Sequence, residues 1–69
     1  MLVKIAPLGE RVQEVNVEPN TTIDEALNIA GVQVNGRAIK LNNVDATEDT
    51  QITAENSIVV LAGKMKGGR

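Results

Sequence analysis

The residues with the clearest chemical potential in this chain are its last ones. Gly67 and Gly68 stand next to the end, preceded by Lys64, Met65 and Lys66 and followed by Arg69. Two consecutive glycines make a length of backbone without side-chain bulk, which another molecule can approach closely. With Gly63 nearby, little fixes this segment, so residues 63–69 are expected to form a mobile tail on a domain spanning residues 1–62. The lysines would steer the tail toward an acidic groove, raising encounter rate more than final affinity.

Most other chemistry is excluded by residue type. The chain has no cysteine and no histidine, which removes the thiolate nucleophile, the sulfur-based zinc site, the usual general base and the physiological pH switch. Asp24 and Glu25 are adjacent, and adjacent helical positions do not face each other, so they are not a working carboxylate pair. The chain is therefore expected not to be an enzyme and to hold no cofactor or metal of its own. Seven basic residues face nine acidic ones, and three of the seven (Lys64, Lys66, Arg69) lie in the last six positions. The body is thus acidic and the tail basic. A nucleic-acid binder would show a basic folded face and aromatics for stacking, and the sequence has no Phe, Tyr or Trp at all. No run approaches the ~18 apolar residues of a membrane span, and the first residues lack the apolar core of a signal peptide. A cytoplasmic monomer is the expectation.

The elements that must carry the tail can be read from periodicity. Val3 and Ile5 alternate with Lys4 as in a half-buried strand, Pro7-Leu8-Gly9-Glu10 has turn chemistry, and Arg11 to Val17 alternates again through Val15 and Val17. That predicts a first hairpin, with Gln13 as a polar interruption on its apolar face. Glu18-Pro19-Asn20 ends the second strand. Thr22 and Glu25 then have capping-box spacing, Ile23, Ala26, Leu27 and Ala30 recur with helical period, and Gly31 supplies a stop. The helix is too short to persist without a sheet beneath it. Val32-Gln33-Val34 reads as a short strand, Asn35-Gly36 as a tight turn, and Ala38 to Leu41 as a strand. Asn42 to Ala54 is polar and weakly periodic, expected as an irregular crossover pinned by Val44 and Ile52. Ser57 to Ala62 is a continuous apolar run, as in a central strand. The predicted fold class is α+β: a mixed sheet of four to five strands with one helix packed across it, the last strand pairing beside the first.

At these residues the sequence resembles the ubiquitin family. Val17-Glu18-Pro19-Asn20-Thr21-Thr22-Ile23 is similar to that family's strand-to-helix junction, Leu8-Gly9 occupies the same first turn, and Lys64-Met65-Lys66-Gly67-Gly68 resembles its basic, apolar, basic, diglycine tail. The compactness between Gln33 and Asn56 also resembles the prokaryotic sulfur carriers of thiamine and molybdopterin synthesis. Both resemblances imply a β-grasp fold and a tail whose terminal glycine carboxylate is adenylated, with ATP, by a partner enzyme. The product is then either an isopeptide with a target amine, the modifier reading, or a thiocarboxylate, the sulfur-carrier reading. A third possibility is a β-grasp interaction module that is never activated. The resemblance further implies removal of Arg69 by a protease, since active forms in both families end on glycine. It also implies an apolar partner patch built from Leu8 with Val59 or Leu61 on the outer face of the last strand. The first-strand aromatic of ubiquitin is missing, which changes packing but not topology. Lys4 and Lys40 could accept conjugation, but solvated surface charge explains them.

Overall fold

A computed structural model describes residues 1–64 of the chain, and the elements follow in the order β1 (Leu2–Pro7), β2 (Gln13–Asn16), β3 (Thr21–Thr22), α1 (Ile23–Ala30), β4 (Arg37–Leu41), β5 (Val44–Ala46), β6 (Gln51–Ile52) and β7 (Ser57–Lys64). Strand β1 alternates as its residue types demand: Val3, Ile5 and Pro7 are buried, whereas Lys4 is exposed. At Pro7 the chain turns. Gly9 sits at φ 81°, the value that the third position of a type II turn requires, and Glu10 N–H donates to the Pro7 carbonyl at 3.0 Å. Strand β2 returns antiparallel with Val15 opposite Val3, and Gln13, opposite Ile5, is exposed.

The helix is set by its two ends. Thr22 caps it with extended backbone, and its hydroxyl accepts from Glu25 N–H at 3.3 Å. Two further first-turn donors find partners outside the helix, Ile23 N–H on the Thr50 carbonyl and Asp24 N–H on that of Glu48, at 2.9 and 3.0 Å. The segment 47–52 therefore closes the helix start, and β6 pairs antiparallel with β3 just beside it. At the other end Gly31 adopts φ 74°, Gly31 N–H donates to the Asn28 carbonyl and Val32 N–H to that of Leu27. This 5→2 and 6→1 pair is a Schellman stop, which needs a left-handed residue and finds glycine there.

The main sheet has the strand order β2-β1-β7-β4-β5, with β1 and β7 parallel and the other neighbours antiparallel. The last strand thus lies centrally beside the first. Its register puts Val3 opposite Ser57, Ile5 opposite Val59 and Pro7 opposite Leu61, so one parity of β7 shares the face of the β1 core residues. Val3, Ile5, Val17, Ile23, Ala26, Leu27, Ile39, Ile52, Val59 and Leu61 form the aliphatic core between sheet and helix. Each fully buried Ile, Leu or Val contributes roughly 1.5–3 kcal/mol relative to exposure.

The region after the helix departs from expectation in several ways. Val32–Val34 is not a strand: Val32 is consumed by the helix stop, and both valines are half-buried against the core without joining a ladder. Asn35 and Gly36 do make a turn with φ 52° and 77°, but it delivers the chain into β4 rather than joining two strands. The supposed irregular crossover contains a hairpin, β4–β5, closed by Asn42 and Asn43 at φ 52° and 71°, the double left-handed signature of a type I′ turn. Ile52 is fully buried as expected, whereas Val44 is 66% exposed and pins nothing, because it sits just past that turn on the short edge strand β5. Strand β7 continues through Lys64, which pairs with Arg37, so Gly63 and Lys64 belong to the sheet and not to the tail.

Asn42 also closes the ladder between β4 and β7. Its own N–H donates to the Ile58 carbonyl, and where its backbone has turned away its side-chain carbonyl accepts Ile58 N–H, both at 2.9 Å. Its amide nitrogen donates to the hydroxyl of buried Ser57 at 3.4 Å. Asn42→Ala places a Cβ residue without polar compensation at positive φ and removes these bonds, so a loss of about 2–3 kcal/mol is expected. Urea unfolding reads it as a lower midpoint with unchanged slope. Asn42→Gly, which relieves the backbone strain, should lose about half as much. A loss of less than ~0.5 kcal/mol for alanine would show that the side chain does not extend the ladder.

Candidate functional site

The end of the sheet from which the chain leaves is built by three elements. Strand β7 is its axis, held between β1 and β4. The β1–β2 turn closes one side, with Leu8 N–H donating to the Leu61 carbonyl at 2.8 Å, which continues the β1–β7 pairing one residue past Pro7. Strand β4 closes the other side through Arg37, whose guanidinium reaches back across β7 to Glu10 in the turn, Nη2 to Oε2 at 3.0 Å. The Arg37 side chain is only 13% exposed, and its Nη1 is buried without a hydrogen-bond partner among the described residues. An ion pair this sheltered on the arginine side, with a half-exposed carboxylate, ties the turn to the root of the tail. It is not a large source of stability.

The sequence-derived partner patch is partly overturned here. Leu8 is 66% exposed at the tip of the turn, as expected. Val59 and Leu61, however, are fully buried. Their partners across the ladder, Ile5, Leu41 and Ile39, all point toward the helix, and parity in a strand admits no exception without a bulge. The outer face belongs instead to Ile58, Val60 and Ala62. Ile58 is 41% exposed beside Lys4, and half-buried Val60 lies between Ala6 and Lys40. Lys40 extends along this face to Asp45 on β5, Nζ to Oδ1 at 2.9 Å. The residues that sequence reasoning missed are therefore Ile58 and Val60, one position off, and the signal that would have found them is the register against Val3 and Ile5.

Of the tail residues singled out above, Lys64 closes β7 as its last residue. Met65, Lys66, Gly67, Gly68 and Arg69, and with them the expectations of a mobile thread, of activation at Gly68 and of trimming at Arg69, lie outside the described residues. Among the described residues no group of three or more acidic side chains could hold a metal ion, and no helix is long and apolar enough to cross a membrane.

No family model and no curated protein matches the sequence. Solved structures do. A ubiquitin-like protein from the hyperthermophilic archaea Caldiarchaeum subterraneum superimposes with a TM-score of 0.61 at 18% identity, covering 97% of this chain and 100% of that one. The fold is the ubiquitin-like β-grasp. The likeness extends over nearly all of this chain, whose β-grasp has the helix clasped by β3 and β6 and the central parallel pair of β1 and β7. At this identity the likeness concerns architecture, and what the tail does has to be argued from its chemistry.

Proposed function

We propose that this β-grasp protein is a ubiquitin-like modifier, trimmed after Gly68, activated there by a partner enzyme and joined to amines of target proteins. The observation that supports the reading is the position of β7. A central strand, paired with β1 as far as Leu61 and with β4 as far as Lys64, leads in sequence into Met65-Lys66-Gly67-Gly68, so a sheet-anchored base precedes a short segment that ends in two glycines without side-chain bulk. A processing protease hydrolyses the Gly68–Arg69 bond and frees the Gly68 carboxylate. In a ubiquitin-activating-type adenylating enzyme this carboxylate attacks the α-phosphate of ATP and pyrophosphate leaves. A thiolate of the partner then displaces AMP to give a thioester, and a target amine displaces the thiolate to give the isopeptide. The β-grasp protein contributes no catalytic group and holds no cofactor; ATP belongs to the partner. Leu8, Ile58 and Val60 offer the apolar contacts for docking, and Lys66 the charge.

The test uses chain ending at Gly68, chain ending at Arg69 and chain lacking Gly67 to Arg69, each with ATP and an adenylating enzyme of this type. Pyrophosphate exchange and protein adducts of higher mass are expected for the first alone. If a sulfur donor is added and the intact mass instead shows one terminal oxygen replaced by sulfur, the sulfur-carrier chemistry takes the place of conjugation. Equal inertness of all three chains, with partner binding unaffected by the deletion, would leave an interaction module that is never activated.

A further inference from the structure

Away from the tail, an open cleft of about 540 Å³ lies between α1 and the chain that leaves β2. Val17 and Ile29 give it apolar walls, and Ile29 is 60% exposed there. Glu18 and Glu25 add two carboxylates, both on exposed residues, and Asn16, Thr21 and Asn28 complete the neutral polar lining. Glu25 and Asn28 are three apart in α1 and therefore share a face. The cleft contains one cation, the Met1 ammonium, and that group is already directed at the Val17 carbonyl at 2.7 Å. An occupant has to bring an apolar group for the walls and positive charge for the rim.

One segment of this chain has that composition. Met65, Lys66 and Arg69 place a flexible apolar side chain next to two cations, and the glycines between them allow a close approach to the surface. We infer that the cleft receives the segment Met65–Arg69 of a second copy, with Met65 against Val17 and Ile29 and the cations on Glu18 and Glu25. The segment cannot reach the cleft of its own molecule. Pro7 pairs with Leu61, so Lys64 leaves beyond the Pro7 end of β1, whereas Met1, at the other end of that strand, borders the cleft. Six steps along β1 and three more to Lys64 amount to roughly 30 Å, and five extended residues span at most about 17 Å. The contact is accordingly heterologous, tail of one copy into cleft of the next, and it does not close on itself. Loss of Arg69 removes one of two cations and loosens it, so copies that keep the arginine hold one another's tails and trimmed copies release them. This inference stands independently of whether the tail is ever adenylated.

The experiment is dilution of the isotopically labelled full chain, followed by amide NMR shifts. Amides of Thr21, Glu25, Asn28 and Ile29 are expected to move together with those of Lys66 to Arg69, with a midpoint on the order of 1 mM, as suits a few exposed ion pairs. Raising salt from about 0.05 to 0.5 M should weaken it several-fold. Lys66→Gln, which removes one of the two cations, should weaken the effect several-fold in its own solution, and the double variant Glu18→Gln with Glu25→Gln should abolish it. Mixing labelled Lys66→Gln chain, which keeps its cleft, with unlabelled Glu18→Gln/Glu25→Gln chain, which keeps its tail, should restore the cleft shifts. That restoration also shows both variants to be folded. Shifts independent of concentration, cleft shifts without tail shifts, or failure of the mixture to restore them would each overturn the inference, the second by assigning the cleft to another occupant.

Discussion

Leu61→Ala is expected to cost this domain about 3–4 kcal/mol, enough to leave a large share of the chain unfolded at physiological temperature. Leu61 is fully buried in the central strand, with Pro7 opposite on β1 and Ile39 on β4. Removing three side-chain carbons there loses their transfer energy and leaves a cavity that two flanking ladders prevent from collapsing. A chain of this length has a total stability of only roughly 3–10 kcal/mol. The core has no aromatic residue to take up the strain, so the loss falls on its other aliphatic side chains. Val60→Ala, one residue away on the outer face, should cost less than about 1 kcal/mol because Val60 remains partly in water. Urea titration of the two variants makes the comparison directly. Equal losses, or a larger one for Val60, would reverse the assignment of faces on β7 and restore Leu61 to the partner surface.

That assignment also shows how far residue pattern reaches. Val3-Lys4-Ile5 declares its faces because one side of β1 carries charge, and the helix declares itself through Thr22, Glu25 and Gly31, whose roles are local and depend on nothing distant. Ser57 to Ala62 has no such contrast. Its outer residues Val60 and Ala62 are half-buried between neighbouring strands and can be apolar too, so the parity of β7 exists only in its pairing with β1. The β4–β5 hairpin was hidden for a different reason. Asn42-Asn43 carries the same left-handed geometry as Asn35-Gly36 without the glycine that marks it, and the two strands it joins are short. Conversely, Val32-Gln33-Val34 alternates because two valines press onto the core as the chain leaves the helix, a pattern that packing alone produces. The candidate site divides similarly: Leu8 at its turn was legible from Pro7 and Gly9, but Arg37 and Glu10, twenty-seven positions apart in sequence, meet only when β4 and the first turn are brought to the same end of the sheet.

The second large effect concerns the terminal glycines and should leave the fold untouched. Among the described residues every core residue lies between Val3 and Leu61, so Gly68→Val in chain trimmed to residue 68 should unfold at the same urea concentration as its parent. Its kcat/KM for pyrophosphate exchange is nonetheless expected to fall by about 100-fold or more, equivalent to about 2.7 kcal/mol of transition-state stabilisation. The carboxylate must come within bonding distance of a phosphorus atom inside a closed nucleotide site, and a β-branched side chain on the same residue both fills that space and narrows the backbone angles available. Gly67→Val, one residue further out, should lose less, about 10-fold, and Gly68→Ala should fall between the parent and valine. Changes at Lys66 act earlier. Lys66→Gln is expected to raise KM and leave kcat unchanged, since a steering charge contributes before the reacting atoms meet. A gradient that runs the other way, with Lys66→Gln more harmful than Gly68→Val, would mean that the end of the chain is recognised by charge and not threaded into a reacting site, and activation at Gly68 would have to be given up.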